Sequence, residues 1–191
     1  MLVEDLPKIN FRERDLLFID LEMTGLDIEK HEIVEIAALL VDSNTYEVKG
    51  EYHSKVKPKH FDTADPDIHK MLDYSEALWK DAKPIAQVLQ ELAEFAPNSH
   101  FVGYNSAADR MFLEQAYLRE GKQLNKFFDY HLLDVYSLAF IYFKDKAAPE
   151  RLRLRMVATE LGVNVPEGKH NALDDVRLTY QVFLKLIKLM Q

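Results

Sequence analysis

Two acidic side chains, Asp20 and Glu22, stand two residues apart in the run LLFIDLE. On a strand that spacing puts both carboxylates on one face, an arrangement suited to holding a divalent cation. The pair alone is weak, because 32 acids among 191 residues give about five acid-x-acid pairs by chance. Its setting strengthens it. Two carboxylates at the end of an apolar strand are costly to bury without a cation or a proton between them. Asp109 follows Ser106 in the order Ser-x-x-Asp at an expected helix start, which fits a capping box as well as a ligand. His170 precedes another expected helix start, and Asp174 and Asp175 fall in its first turn. Acids are favoured there by the helix dipole, and a histidine can simply face water. Taken singly, Asp109, His170 and the Asp174/Asp175 pair read more readily as structural than as catalytic.

The elements that must carry these residues follow from the apolar pattern. Leu16 to Glu22 reads as a central strand stopped at Thr24-Gly25. Glu32 to Val41 and Tyr46 to Val56 read as two further strands linked through Asp42-Ser43-Asn44, giving an antiparallel meander. From Pro84 to Phe95 the apolar residues keep helical spacing, with the proline suited to a first turn. Phe101 to Tyr104 reads as a short strand, and Ser106 to Arg119 as a helix that Gly121 terminates. A last strand near His131 to Leu133 leads to helices over Val135 to Phe143, Arg151 to Leu161, and about Asn171 to Met190. The last helix has apolar residues on more than one face, which places it in the core. A meander followed by alternating helix and strand, without repeats or long linkers, indicates one α/β domain over 1–191, with 1–14 as an N-terminal arm.

Composition narrows the chemistry. The chain has no cysteine, so any metal must bind through carboxylates or histidine, and disulfides, zinc fingers and cysteine nucleophiles are excluded. A net charge of −8 argues against a protein that coats long polyanions. It is compatible with an enzyme whose cations meet the phosphate. No apolar run has membrane-spanning length, and MLVEDLPKINFRER lacks a signal-peptide core, so a cytoplasmic location away from membranes is expected. Arg151, Arg153 and Arg155 read as a solvated helix face, with guidance of a nucleic-acid strand as the alternative.

In order along the chain, the motifs resemble those of the DEDDh exonucleases, a group that includes the proofreading subunit of bacterial DNA polymerase III, oligoribonuclease and ribonuclease T. FIDLEMTGLD (18–27) is similar to the first motif and carries Asp20 and Glu22. VGYNSAADRMFL (102–113) is similar to the second and carries Asp109. HNALDDV (170–176) is similar to the third, in which a histidine precedes an aspartate by five positions, selecting Asp175 over Asp174. His69 to Phe95 and LGVNVPEGKHNALDD extend the resemblance over most of 15–190. The chain departs from the family at Tyr104, where histidine is common, and at Ala108, where an aromatic is common; neither is a ligand position.

The resemblance implies a ribonuclease H-like fold, a five-stranded mixed sheet flanked by helices. It implies that Asp20, Glu22, Asp109 and Asp175 converge on two Mg²⁺ or Mn²⁺ ions, and that His170 is the general base. Asp20 would touch both ions, Glu22 and Asp175 the water-activating one, and Asp109 the second. Met23, Thr24, Gly25, Leu26 and Asn105 are expected at the terminal nucleotide, Leu26 as a wedge against its base. The implied activity is stepwise hydrolysis from the 3′ end of single-stranded DNA or RNA, releasing nucleoside 5′-monophosphates. Sugar preference, homodimerisation, and association with a polymerase or RNA-processing complex stay open. So do a ribonuclease H-type endonuclease and a non-catalytic nucleic-acid-binding scaffold on the same fold.

Overall fold

The computed structural model describes residues 9–66, 79–146, 149–168 and 171–191. Its centre is strand β1 (Leu16–Met23), whose residues divide by parity as a pleated strand requires. Leu17, Ile19 and Leu21 enter one apolar cluster, while Leu16 and Phe18 enter the other. Strand β2 (Ile33–Val41) pairs antiparallel with β1, and β3 (Val48–Lys55) pairs antiparallel with β2. Strands β4 (His100–Gly103) and β5 (Leu132–Asp134) add in parallel on the other side of β1, giving the order β3-β2-β1-β4-β5. This is the expected five-stranded mixed sheet.

Helices cover both faces. Helix α1 (Ile85–Phe95) buries Val88, Leu89, Leu92 and Ala93 as one stripe, and with α2 (Ala107–Arg119) it packs over Leu17, Ile19 and Leu21. Helices α3 (Val135–Phe143), α4 (Leu154–Glu160) and α5 (Ala172–Met190) cover the face carrying Leu16 and Phe18. The last helix lies in the core as its sequence required, with Val176, Leu178, Val182, Phe183 and Leu186 buried. Phe18 meets Tyr180 and Phe183 edge-on, with ring centroids 5.4 and 5.2 Å away. Burial of such a side chain stabilises by roughly 1.5–3 kcal/mol, and favourable ring geometry adds about 0.5–1.5 kcal/mol.

The start and stop signals have local physical causes. Asn171 caps α5 by accepting from the Asp174 N–H at 2.9 Å. Gly121 and Gly162, at φ +69° and +68°, supply the left-handed residues that end α2 and α4. Two boundaries differ from the sequence expectation by two residues or more. Strand β3 begins at Val48 because the preceding turn consumes Asp42 to Glu47: the Asp42 carboxylate accepts from Asn44 and Thr45, and Tyr46 adopts φ +58°. Helix α4 begins at Leu154, so Arg151 and Arg153 are exposed residues on its approach and not a helix face. Of the segment expected to resemble the family over His69 to Phe95, the part up to residue 78 lies outside the described residues.

Candidate active site

Asp20 and Glu22 share the β1 face that α5 covers, at the end of the strand toward Met23. Strand β4 pairs with β1 only as far as Phe18↔Val102. Beyond that point no strand among the described residues pairs with the β4 side of β1, and Asp109 fills the gap: its Oδ1 accepts the Leu21 N–H at 3.1 Å. The first turn of α2 is thereby tied to the residue between the two β1 acids. The capping-box reading of Asp109 is replaced by this contact, because Ser106 makes no side-chain cap bond. Gly103 makes the close approach possible. A Cβ there would lie 2.4 Å from the Ser106 Cβ and 3.2 Å from the Ile19 carbonyl oxygen.

Asp175 enters from the first turn of α5, with its own N–H bonded to the Asn171 carbonyl at 3.1 Å. Its Oδ1 lies 3.5 Å from the Arg155 guanidinium, which also donates to the Pro166 carbonyl at 2.8 Å. Arg155 therefore turns inward, against the expectation of a solvated face. His170 lies outside the described residues.

Glu22, Asp109 and Asp175 all lie near enough to Asp20 for their charges to act on it. Burial pushes Asp20 well above the usual carboxylate range, and the negative charges of Asp109, Glu22, Asp175 and Glu35 push it further. Burial also raises Glu22 to about 7, helped by Glu35, Asp175 and Asp109. Asp109 rises to about 6 through burial, partly opposed by the Leu21 N–H and its own N–H, with Asp134 adding repulsion. Carboxylates held this way need a proton or a cation. They are not drawn into one tight cage. Among the described residues, the group of three whose ligand atoms all lie within 4.8 Å of one another is His100, Asp129 and His131, elsewhere on the sheet. No three of the four basin acids meet that spacing among the described residues.

Beside the basin, Thr24 is fully buried. Its N–H donates to the Glu32 carbonyl, its Oγ1 accepts from the Glu32 N–H, and its carbonyl accepts from Asp65. Gly25 is forced by packing, since a Cβ would lie 2.2 Å from the His31 ring. Met23 is half-buried, while Leu26 stands 78% exposed. Asn105, at φ +54°, is exposed and donates its N–H to Asp134 Oδ1 at 2.8 Å.

Three residues escaped sequence reasoning. Glu35 is buried directly across from Glu22 and meets His53 Nε2 at 2.5 Å; only the strand register reveals it. Asp134 joins the Asn105 turn to the start of α3, accepting also from Tyr136. Arg155 was noticed for its charge but not for its partner.

A profile of the exonuclease family matches residues 17–183. Among curated relatives, the chain is 29% identical over 182 residues to the PolC-type DNA polymerase III of Thermotoga petrophila, covering 95% of this chain but 12% of that much longer protein. It is 28% identical to the DNA polymerase III subunit epsilon of Aquifex aeolicus, covering 94% of this chain and 83% of the relative. It is 29% identical to the oligoribonuclease of Vibrio campbellii, covering 88% and 91%. Among solved structures, the nuclease domain of 3′hExo, a DEDDh family member bound to rAMP, superposes with a TM-score of 0.75 at 16% identity over 92% of both chains. Exonuclease I of E. coli, in complex with a dA16 oligonucleotide, gives 0.77 at 18% identity over 92% of this chain and 41% of its own. With the profile spanning nearly the whole sheet and its helices, the chain belongs to the exonuclease family, on the ribonuclease H-like fold of the DEDDh exonucleases.

Proposed function

We propose that this chain hydrolyses single-stranded DNA or RNA from the 3′ end, one nucleoside 5′-monophosphate at a time, with two Mg²⁺ or Mn²⁺ ions. The observation that carries this reading is the shared basin of Asp20, Glu22, Asp109 and Asp175, in which burial and like charge raise three of the four carboxylates. Oxygen-only donors suit hard divalent cations. The acids fit such ions because Asp20, Glu22 and Asp109 are buried beside other carboxylates, a repulsion that a cation relieves. When bound, these ions supply the Lewis acidity that activates water and steadies the charge on the leaving oxygen.

The chain's own residues divide the remaining work. Asp20 and Glu22 are fixed by the rigid centre of the sheet, and Asp109 is oriented by the Leu21 N–H. Asp175 is held by the α5 backbone and faced by Arg155. His170, five residues before Asp175, accepts the proton of the attacking water, since an unperturbed imidazole titrates near neutrality. Met23, Gly25 and Leu26 offer the surface for the terminal nucleotide, Thr24 fixes that loop from within, and Asn105, exposed and tied to Asp134, is assigned to the same nucleotide. Some relatives are subunits of DNA polymerase III, and association with a polymerase is part of the proposal, as is activity on short oligonucleotides.

The test is a product time course on 5′-labelled single-stranded DNA, RNA and di- to pentanucleotides with Mn²⁺ or Mg²⁺, alongside circular single strands. A ladder shortening from the 3′ end, mononucleotide products and intact circles are expected. Cleaved circles would assign an endonuclease, and no cleavage with either ion would leave a binding scaffold.

A further inference from the structure

At the end of the strands remote from the four acids, His100 opens β4 opposite Leu16, and Asp129 and His131 lie just before β5. The distance from Leu16 to Asp20 along β1 places this cluster about 13 Å from the basin. One oxygen, Asp129 Oδ1, faces three nitrogens: His100 Nδ1 at 3.2 Å, His131 Nδ1 at 2.6 Å and the His131 N–H at 2.9 Å. Its other oxygen lies 3.5 Å from Arg14 Nε. Asp129 is rigidly placed, its N–H donating to the Ser99 carbonyl at 3.0 Å and its carbonyl accepting from Arg110 at 3.1 Å.

The second ring nitrogen of His100 decides what this arrangement needs. His100 is buried, and its Nε2 lies 3.1 Å from the Phe11 carbonyl, a group that can only accept. The Nε2 proton is therefore committed to Phe11, and a neutral His100 presents the Nδ1 lone pair directly to a carboxylate oxygen. Two lone pairs at 3.2 Å repel unless positive charge lies between them. A metal-ligating histidine commonly has this disposition, with one nitrogen on the ion and the other N–H pinned by a backbone carbonyl. The 3.2 Å separation of His100 Nδ1 and Asp129 Oδ1 also matches the edge of a tetrahedral zinc site, about 3.3 Å for bonds near 2.0 Å. The His131 ring is closer than that edge and stacks on Tyr130 with centroids 3.9 Å apart, so admitting an ion would require it to shift outward on its 58% exposed side. Both histidines line an open cleft of about 710 Å³ with Phe11, Arg12 and Leu133, which gives an ion its way in.

We propose that His100, Asp129 and His131 form a second cation site, selective for a borderline divalent ion such as Zn²⁺ and separate in place and ligand type from the all-carboxylate basin. Imidazole donors favour zinc over magnesium. Because His100 also holds the Phe11 carbonyl and Asp129 faces Arg14, the ion would clamp the segment entering β1 against β4 and β5. The site is structural, since it opens away from the acids.

The experiment is calorimetric Zn²⁺ titration of the Asp20→Asn/Asp175→Asn chain, whose acid basin is dismantled, with thermal unfolding followed in EDTA and in Zn²⁺. Binding of one equivalent and a Zn²⁺-dependent rise in melting temperature are expected. Adding His131→Ala should weaken binding by about 100-fold or more and remove most of the difference between the melting temperatures in Zn²⁺ and in EDTA. Zn²⁺ uptake undiminished by His131→Ala, or no uptake by the parent double variant, would overturn the proposal. In the latter case His100 is an imidazolium paired with Asp129. Neither result bears on the exonuclease reading, which uses other residues.

Discussion

Replacing Glu22 with glutamine should stabilise the metal-free chain while abolishing its activity. Glu22 rises from an ordinary 4.5 to about 7 in the fold, so the folded chain binds this proton more tightly than the unfolded chain does. The fold is favoured while the group is protonated and penalised once it ionises. The penalty is absent below pH 4.5, grows as pH rises, and is complete above about 7. Its full size is about 3 kcal/mol. Glutamine keeps the shape and removes the charge, although desolvation of the buried amide takes back part of the gain. A net stabilisation of about 1–3 kcal/mol is expected, or a rise in Tm of roughly 2–12 °C for a chain of this size. The assay is thermal unfolding of parent and variant in EDTA from roughly pH 4 to pH 8. The gap should open only as pH rises, and added Mg²⁺ should stabilise the parent more than the variant. A variant less stable than the parent near pH 8, or a gap unchanged near pH 4, would refute the repulsion argument.

Three further outcomes are expected. Arg155→Met removes the positive charge facing Asp175; it should cost about 1–2 kcal/mol in EDTA and tighten Mg²⁺ binding, read by denaturation and by metal titration of activity. Gly103→Ala places a methyl group 2.4 Å from the Ser106 Cβ; overpacking of this kind costs about 1–3 kcal/mol, measurable in urea, and by shifting α2 it should lower kcat. His170→Ala should lower kcat far more than it changes KM, and full turnover at saturating Mg²⁺ would remove its assignment as general base.

Much of the fold was legible because its signals are local. The alternation of β1 announces which residues share a face, and Gly121 and Gly162 end helices because they supply a left-handed backbone that other residues adopt at a cost. The side-by-side placement of Asp20 and Glu22 needed nothing beyond strand parity. What escaped depends on pairing at a distance. Glu35 becomes a neighbour of Glu22 only through the β1–β2 register, and the role of Arg155 depends on how α4 meets α5. The capping-box reading of Asp109 was locally reasonable, but an unpaired edge of β1 claimed the carboxylate. Asp129 and His131 stand two apart in Asp-Tyr-His, but nothing along the chain announces that His100, 29 residues before Asp129, meets them.

The parity of β1 also makes this enzyme's chemistry a matter of counting. Deleting a single residue between Leu16 and Ile19 would leave amino-acid composition almost untouched, yet every later side chain in the strand would change sides. Leucine and isoleucine would then take the places of Asp20 and Glu22 beneath α5, and two anions would be thrust into the oily layer beneath α1 and α2. Lengths in this strand are therefore far less negotiable than identities, and insertions or deletions should be tolerated in its flanking loops long before they are tolerated within it.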